Sequence, residues 1–371
     1  MRILTVNTGS SSVKLRLIGA DDHVAGSVDL PAPGMDVDRE ALRHALGRLG
    51  PADAVGHRFV HGGVRFAAPV AVDAAVREEL ERLVPLAPLH QPKALAALAA
   101  VRELRPELPA VACFDTAFHA HLPPAAATYP LPESWRRLGI RRYGFHGLSH
   151  AYAARRTAAL LGGGEARLVT CHLGAGASLA AVRDGRSVDT TMGFTPLEGL
   201  MMATRAGSVD PGAILWLQRR HGLGADAVEH ALEHESGLVG LAGTADMRAV
   251  VTRAAAGDGA AALALDVYVH RLCAAVAAMA AALRGVDALV FTGGVGEHSA
   301  EVRRRAADGL GWLGVVLDAG ANTGCIGDRE LSASGARVRT FVVEAREDLE
   351  LAAGVRQALG GRGPAGEPSA R

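Results

Sequence analysis

Lysine is almost missing from this chain. Only Lys14 and Lys93 occur in 371 residues, so arginine carries nearly all the positive charge. A residue this scarce standing beside a Gly/Ser-rich turn, as Lys14 does, points to a role in that turn. Aromatic residues are also few, at 4%. The cores must therefore be packed from Leu, Val and Ala, with closely approaching backbones. Net charge is missing too, since Lys+Arg and Asp+Glu both count 39. That balance excludes the broad basic face of a nucleic-acid or membrane-surface binder, and any anion site has to be local. The four cysteines, at 113, 171, 273 and 325, form no C-x-x-C pair. They read as reduced, mostly buried thiols of a cytosolic protein. No secretory leader is expected, because Met1-Arg2 runs straight into a strand that turns polar at Asn7. The longest apolar run, Leu272 to Leu283, is too short to span a bilayer and is flanked by Arg271 and Arg284. It reads as a buried helix, and no membrane partner is expected.

What is present is 49% hydrophobic residues over a length that suits two domains with sizeable cores. The opening alternates as a hairpin: strand at 3–6, turn at 7–12, strand at 13–18, with a third strand at 24–30. A helix is expected over 39–49, a strand over 54–60, helices over 74–83 and 92–104, and a buried strand over 110–114. A similar plan recurs from residue 168. A strand ends in Gly174-Ala175-Gly176-Ala177-Ser178, another follows at 179–182, and Arg183-Asp184-Gly185 turns the chain back. Helices are expected over 211–218, 225–235, 247–256 and 263–283. A strand at 288–292 ends in Gly293-Gly294-Val295-Gly296, Ser299 N-caps a helix through Ala307, and a strand at 338–343 precedes a helix at 348–359. The Gly/Pro/Ser-rich tail, 361–371, reads as disordered. The repeated plan implies two related α/β domains facing each other across a cleft.

The turn Asn7-Thr8-Gly9-Ser10-Ser11-Ser12-Val13-Lys14 can ring an anion with backbone N–H groups and hydroxyls, with Lys14 adding charge. It is not a Walker A loop, because the G-x-x-x-x-G-K-[ST] spacing and the following helix are missing. An ordinary structural turn explains it alone. A companion at 174–178 and a third glycine turn at 293–296 that opens a helix are explained less well that way. Two small-residue hairpins in equivalent places resemble the phosphate clips of the sugar kinase, actin and chaperone ATPase superfamily.

The N-terminal turn is similar, without a mismatch, to the signature of acetate kinases. Further blocks run the length of the chain: Gly56-His57-Arg58-Phe59-Val60-His61-Gly62-Gly63, Ala87-Pro88-Leu89-His90, Phe114-Asp115-Thr116-Ala117-Phe118-His119, Arg142-Tyr143-Gly144-Phe145-His146-Gly147, the run from Asp189 to Gly199, Thr204-Arg205, and Phe291 to Glu297. Two departures stand out. The family's second phosphate turn reads His-Leu-Gly-Asn-Gly, and here position 175 is Ala. The family's Thr-Asn-Glu-Glu is Ala345-Arg346-Glu347-Asp348 here, which keeps Glu347 as the first carboxylate.

The resemblance implies duplicated ribonuclease H-like domains around a cleft. The first is expected over 1–117 with a returning helix at 349–360, and the second over 118–348. It implies an acetate kinase that moves the γ-phosphoryl group of ATP, reversibly and in line, to acetate, giving acetyl phosphate and ADP. Arg58 is expected on the substrate carboxylate, with a methyl pocket from Val60, Leu89, Phe145 and Pro196 and with His90 nearby. Asp115, His146 and Arg205 are the expected catalytic groups. Ser10, Ser12, Lys14, His172, Leu173, Gly174, Ala175, Gly176, Asp246, Met247, Arg248, Gly294, Val295, Gly296, Glu297 and His298 are expected on the nucleotide. Asn7 and Glu347 would position hydrated Mg²⁺, with Mn²⁺ able to substitute, and a homodimer is the family expectation. His119-x-His121 lacks a third ligand at metal spacing. Rival readings are a propionate or butyrate kinase, a sugar or polyol kinase with Asp115 as base, and a non-catalytic ATP-binding module.

Overall fold

The computed structural model describes residues 1–9, 12–32 and 38–360. The tail at 361–371 and the expected nucleotide contact Ser10 lie outside the described residues. By internal contacts the chain divides into two compact units, Met1–Ala120 with the chain from Arg346 onward, and His121–Ala345.

The first unit holds a six-stranded mixed sheet in the order β3-β2-β1-β4-β6-β5. Its strands are β1 Ile3–Thr8, β2 Ser12–Ile18, β3 Val24–Pro31, β4 Ala54–Phe59, β5 Val70–Ala71 and β6 Ala110–Phe114. β1 to β3 form an antiparallel meander, whereas β4 and β6 run parallel to β1. Parallel strands buried on both faces favour continuous apolar runs, and β6 (Ala-Val-Ala-Cys-Phe) supplies one, while β1 (Ile-Leu-Thr-Val-Asn-Thr) is apolar at Ile3, Leu4 and Val6 and turns polar toward its C-terminal end. One face carries Leu4, Val6, Leu15 and Leu17 against Leu42 and Leu46 of the helix Arg39–Leu49. The helix Glu347–Gly360 crosses β1, β4 and β6. It passes so close to β4 that a β-carbon at Gly56 would stand 2.8 Å from Val355 Cγ2 and 3.3 Å from the Leu351 carbonyl oxygen.

The second unit repeats the plan in the order β11-β12-β10-β7-β8-β9. Here the strands are β7 Arg167–Leu173, β8 Ala177–Arg183, β9 Arg186–Thr190, β10 Ala288–Thr292, β11 Arg329–Glu330 and β12 Arg339–Val342. β7 to β9 are an antiparallel meander, and β10 and β12 run parallel to β7. β1, β2, β3, β4 and β6 thus correspond one by one to β7, β8, β9, β10 and β12, each set ending in a two-residue antiparallel edge strand. The duplicated ribonuclease H-like arrangement is borne out by strand order and direction.

The apolar run read at Leu272–Leu283 is the end of a 25-residue helix, Gly259–Leu283. By length and composition that helix could cross a membrane, but it packs on β7, β8 and β9, and Leu265, Leu272, Val276 and Leu283 are buried. The helix Gly147–Leu160 and the strand β9 were not foreseen.

Candidate active site

In the first unit, β1, β4 and β6 run parallel and end side by side, which brings Asn7, Arg58 and Asp115 together at their C-terminal ends. Arg58 grips Asp115 bidentately, with Nε to Oδ1 at 3.0 Å and Nη2 to Oδ2 at 2.6 Å. Its Nη1 donates to Asn7 Oδ1 at 3.1 Å and stands 3.6 Å from Glu347 Oε2. Asn7 Nδ2 donates to Glu347 Oε2 at 2.6 Å. Burial disfavours the charge on Arg58, but Asp115 and Glu347 outweigh it and hold the guanidinium firmly protonated. Of its five N–H donors, the named bonds use three. Among the described residues these bonds leave one N–H on Nη1 and one on Nη2, and two guanidinium N–H groups can match the two oxygens of a carboxylate.

Both lysines meet the first small-residue turn. Lys14 pairs across from Asn7, so its side chain rises on the same face. Lys93, buried, donates to the Gly9 carbonyl at 2.9 Å and to that of Ala32 at 2.5 Å. The turn closes with Gly9 N–H on the Ser12 carbonyl at 2.8 Å. In the sequence only Lys14 stands beside this turn, and Lys93 reaches it from far along the chain. Val60 is buried, Leu89 is exposed, and His90 sits at the N-cap of the helix Gln91–Leu104.

In the second unit, His146 and Arg205 converge on the second turn. A β-carbon at Gly176 would lie 3.2 Å from His146 Nε2 and 3.5 Å from Arg205 Nη1. Arg205 Nε is held by Glu233 Oε2 at 2.9 Å, and its Nη1 reaches the Pro196 carbonyl at 3.5 Å. Glu233 comes from the helix Ala225–His234 and carries no sequence signal. His146 opens the helix Gly147–Leu160 in the left-handed conformation, φ 57°. A non-glycine residue there costs of order 1–3 kcal/mol and is characteristic of functional sites. Phe145, just before it, is buried, and Pro196 is half-buried. Ser178 Oγ sits 2.9 Å from His146 Nδ1, Ser149 Oγ sits 2.7 Å from His172 Nδ1, and the two imidazole rings are 4.3 Å apart.

Beside the second turn opens a cavity of about 520 Å³, within the usual range of a small-molecule pocket. Of the expected nucleotide contacts, Gly174, Ala175, Asp246, Met247, Arg248, Gly294, Val295 and His298 line it. His172, Leu173, Gly176, Gly296 and Glu297 do not. Glu297 has a different place: its Oε1 accepts from the N–H groups of Gly293 at 2.8 Å and Ala345 at 3.0 Å, tying the start of the helix Gly293–His298 to the segment after β12. Leu238, Val251, Tyr268, Ser299 and Glu301 also line the cavity and were not foreseen. Ala175 lines it with only a methyl group in place of a side-chain amide, and its carbonyl accepts from the Ala203 N–H at 3.1 Å.

A family model described as the acetokinase family matches residues 40–353. The chain belongs to the acetokinase family. It is 51% identical to an acetate kinase of Synechococcus sp. (strain JA-2-3B'a(2-13)), over 83% of this chain and 77% of that protein. An acetate kinase of Acaryochloris marina is 43% identical over 95% and 98% of the two chains. Among solved structures, acetate kinase from Porphyromonas gingivalis superposes with a TM-score of 0.87 at 34% identity, covering 96% of this chain and 99% of that one. A propionate kinase from Francisella tularensis gives 0.89 at 34% identity, covering 95% and 98%. As an acetokinase the chain is an enzyme, a kinase with ATP or ADP as co-substrate. Among the described residues no group of three or more His, Cys, Asp or Glu forms a metal cluster.

Proposed function

We propose that this acetokinase is an acetate kinase, transferring the γ-phosphoryl group of ATP to acetate and back from acetyl phosphate to ADP. The observation that carries the reading is the state of Asp115. A carboxylate whose two oxygens are both held along one edge of a guanidinium, at 3.0 and 2.6 Å, is a poor base for a neutral hydroxyl. Acetate needs no base, because like other simple carboxylates it is ionised at neutral pH. A sugar or polyol acceptor would need Asp115 unengaged. The remaining N–H donors of Arg58 suit the acid, while Val60, Leu89, Phe145 and Pro196 are its proposed apolar lining. One extra methylene changes binding by only about 1–3 kcal/mol, so propionate should be a poorer but real acceptor.

The nucleotide is assigned to the second unit's cavity. Arg205 and His146 are placed as donors to the oxygens of the phosphoryl group in transfer, where charge spreads in the transition state. Asn7 and Glu347 offer hard oxygen donors, which fit Mg²⁺ (or Mn²⁺) that keeps most of its waters. Bound there, the ion would neutralise phosphate charge. A homodimer belongs to the same reading, supported by the exposed Leu215 and Trp216 on the helix Pro211–His221. So does a cytosolic setting, supported by four free thiols.

The test is Arg205→Ala assayed with acetate, ATP and hydroxylamine trapping. Acetyl hydroxamate should form at least a hundredfold more slowly, about the effect of losing one transition-state donor. Formation at the parental rate would remove Arg205 from the reaction. The same assay across C2 to C4 acids should rank acetate first by kcat/KM.

A further inference from the structure

A buried chain of side chains runs back from His146. Ser178 Oγ stands 2.9 Å from His146 Nδ1 and 2.7 Å from His150 Nε2. His150 Nδ1 stands 2.8 Å from Thr170 Oγ1, and the Thr170 hydroxyl is 3.4 Å from the Ala180 carbonyl oxygen. His150, Thr170 and Ser178 are each 0% exposed, so every proton in the chain must find its partner inside the protein.

The three short bonds can be polarised in two directions. In one, His146 Nδ1–H donates to Ser178, Ser178 to His150 Nε2, and His150 Nδ1–H to Thr170. Among the described residues the Thr170 proton then has only the Ala180 carbonyl at 3.4 Å, beyond the ~2.5–3.0 Å of an O–H···O bond. In the other, Thr170 donates to His150 Nδ1, His150 Nε2–H to Ser178, and Ser178 to His146 Nδ1. Each of those protons now has a partner at 2.7 to 2.9 Å. A buried donor without a partner costs about 1–3 kcal/mol, so the second direction wins. It leaves the proton of neutral His146 on Nε2, the nitrogen beside Gly176 and Arg205.

We infer that Ser178 and His150 are positioning residues that lock neutral His146 in its Nε2–H tautomer, so that this N–H donates to a phosphoryl oxygen without the ring carrying charge. The inference rests on the donor role proposed for His146. A neutral donor also suits its surroundings. The ring of His172 lies 4.3 Å away and the guanidinium of Arg205 borders the same turn, and a second and third positive charge there would repel each other.

The test uses the full-length enzyme labelled with ¹⁵N-histidine. Two-bond ¹⁵N–¹H correlation spectra read which ring nitrogen carries the proton, and the two rings are assigned by the signals lost in His146→Gln and His150→Gln. Both should carry it on Nε2. In Ser178→Ala, the His146 Nδ1 shift should move to that of an unbonded acceptor. There kcat should fall about tenfold, with KM for acetate and ATP changed less than twofold, and Ser178→Thr should restore it. A proton on Nδ1 of either ring in the parent overturns the inference without any variant having to fold. So does a folded Ser178→Ala enzyme with parental kcat. If His146→Gln itself keeps parental kcat, the donor role falls while the tautomer assignment stands.

Discussion

Asp115 is 1% exposed and faces the guanidinium of Arg58, itself 14% exposed at the side chain. Taking one partner from a buried ion pair typically costs about 3–5 kcal/mol, because the other charge stays behind without compensation. Asp115→Asn should therefore lower the urea-unfolding free energy by roughly that amount and release Arg58 from its bidentate grip. Glu347 Oε2, at 3.6 Å, is too far to replace it as a hydrogen-bond acceptor. The acetate KM should rise along with the loss of stability, since the guanidinium is no longer held in one orientation. A loss below about 1 kcal/mol with unchanged KM would show that the pair does not orient Arg58. Asn7, Arg58, Asp115 and Glu347 were singled out by the blocks in which the chain resembles acetate kinases, and the hydrogen bonds among them bring the four together. Glu233 and Lys93 were not singled out in this way. They act on Arg205 and on Gly9 from far along the chain, and nothing local distinguishes them from a solvated charge.

At the level of elements, β4 shows what a strand at the centre of a sheet demands. Arg58 is directed to the site, and its neighbour His57 must lie on the opposite face, where it is fully buried. Its Nε2 has no hydrogen-bond partner among the described residues. Burial lowers its pKa from the ordinary 6.5 to about 3. The unfolded chain takes up a proton below pH 6.5 that the folded chain refuses until about pH 3, so stability rises with pH across that window and is lost as pH falls through it. Between pH 7 and pH 5 the loss from this residue should be about 2 kcal/mol. His57→Leu should flatten the pH dependence of the urea-unfolding free energy by that amount, and parallel curves for parent and variant would refute the assignment. Elements were legible where an apolar period dominates, as in β1, β6 and the helix Arg39–Leu49. The helix Gly147–Leu160 was hidden because its buried face includes Ser149, His150 and Thr157, which break the apolar period while serving the site. The edge strands β5 and β11 are two residues each, and only their pairing with β6 and β12 defines them.

For the whole molecule, the duplication assigns different work to two copies of one topology. The first unit presents the arginine-carboxylate site, and the second encloses a cavity lined by residues from 174–175, 245–252 and 294–301. The chain enters the second unit once and returns to the first through Glu347–Gly360, which also delivers Glu347. A ligand that binds only folded protein stabilises it by RT ln(1 + [L]/Kd), about 2.7 kcal/mol at a hundredfold excess over Kd. ADP at that excess should therefore slow amide hydrogen exchange most strongly in those three segments. The slowing should be smaller in the sheet β1 to β6, whose exchange reports the first unit's own opening. Mass-resolved exchange with and without ADP reads this directly. If the strongest protection fell within residues 1–120, the nucleotide would belong to the first unit, and the division of labour drawn from the two sheets would have to be reversed.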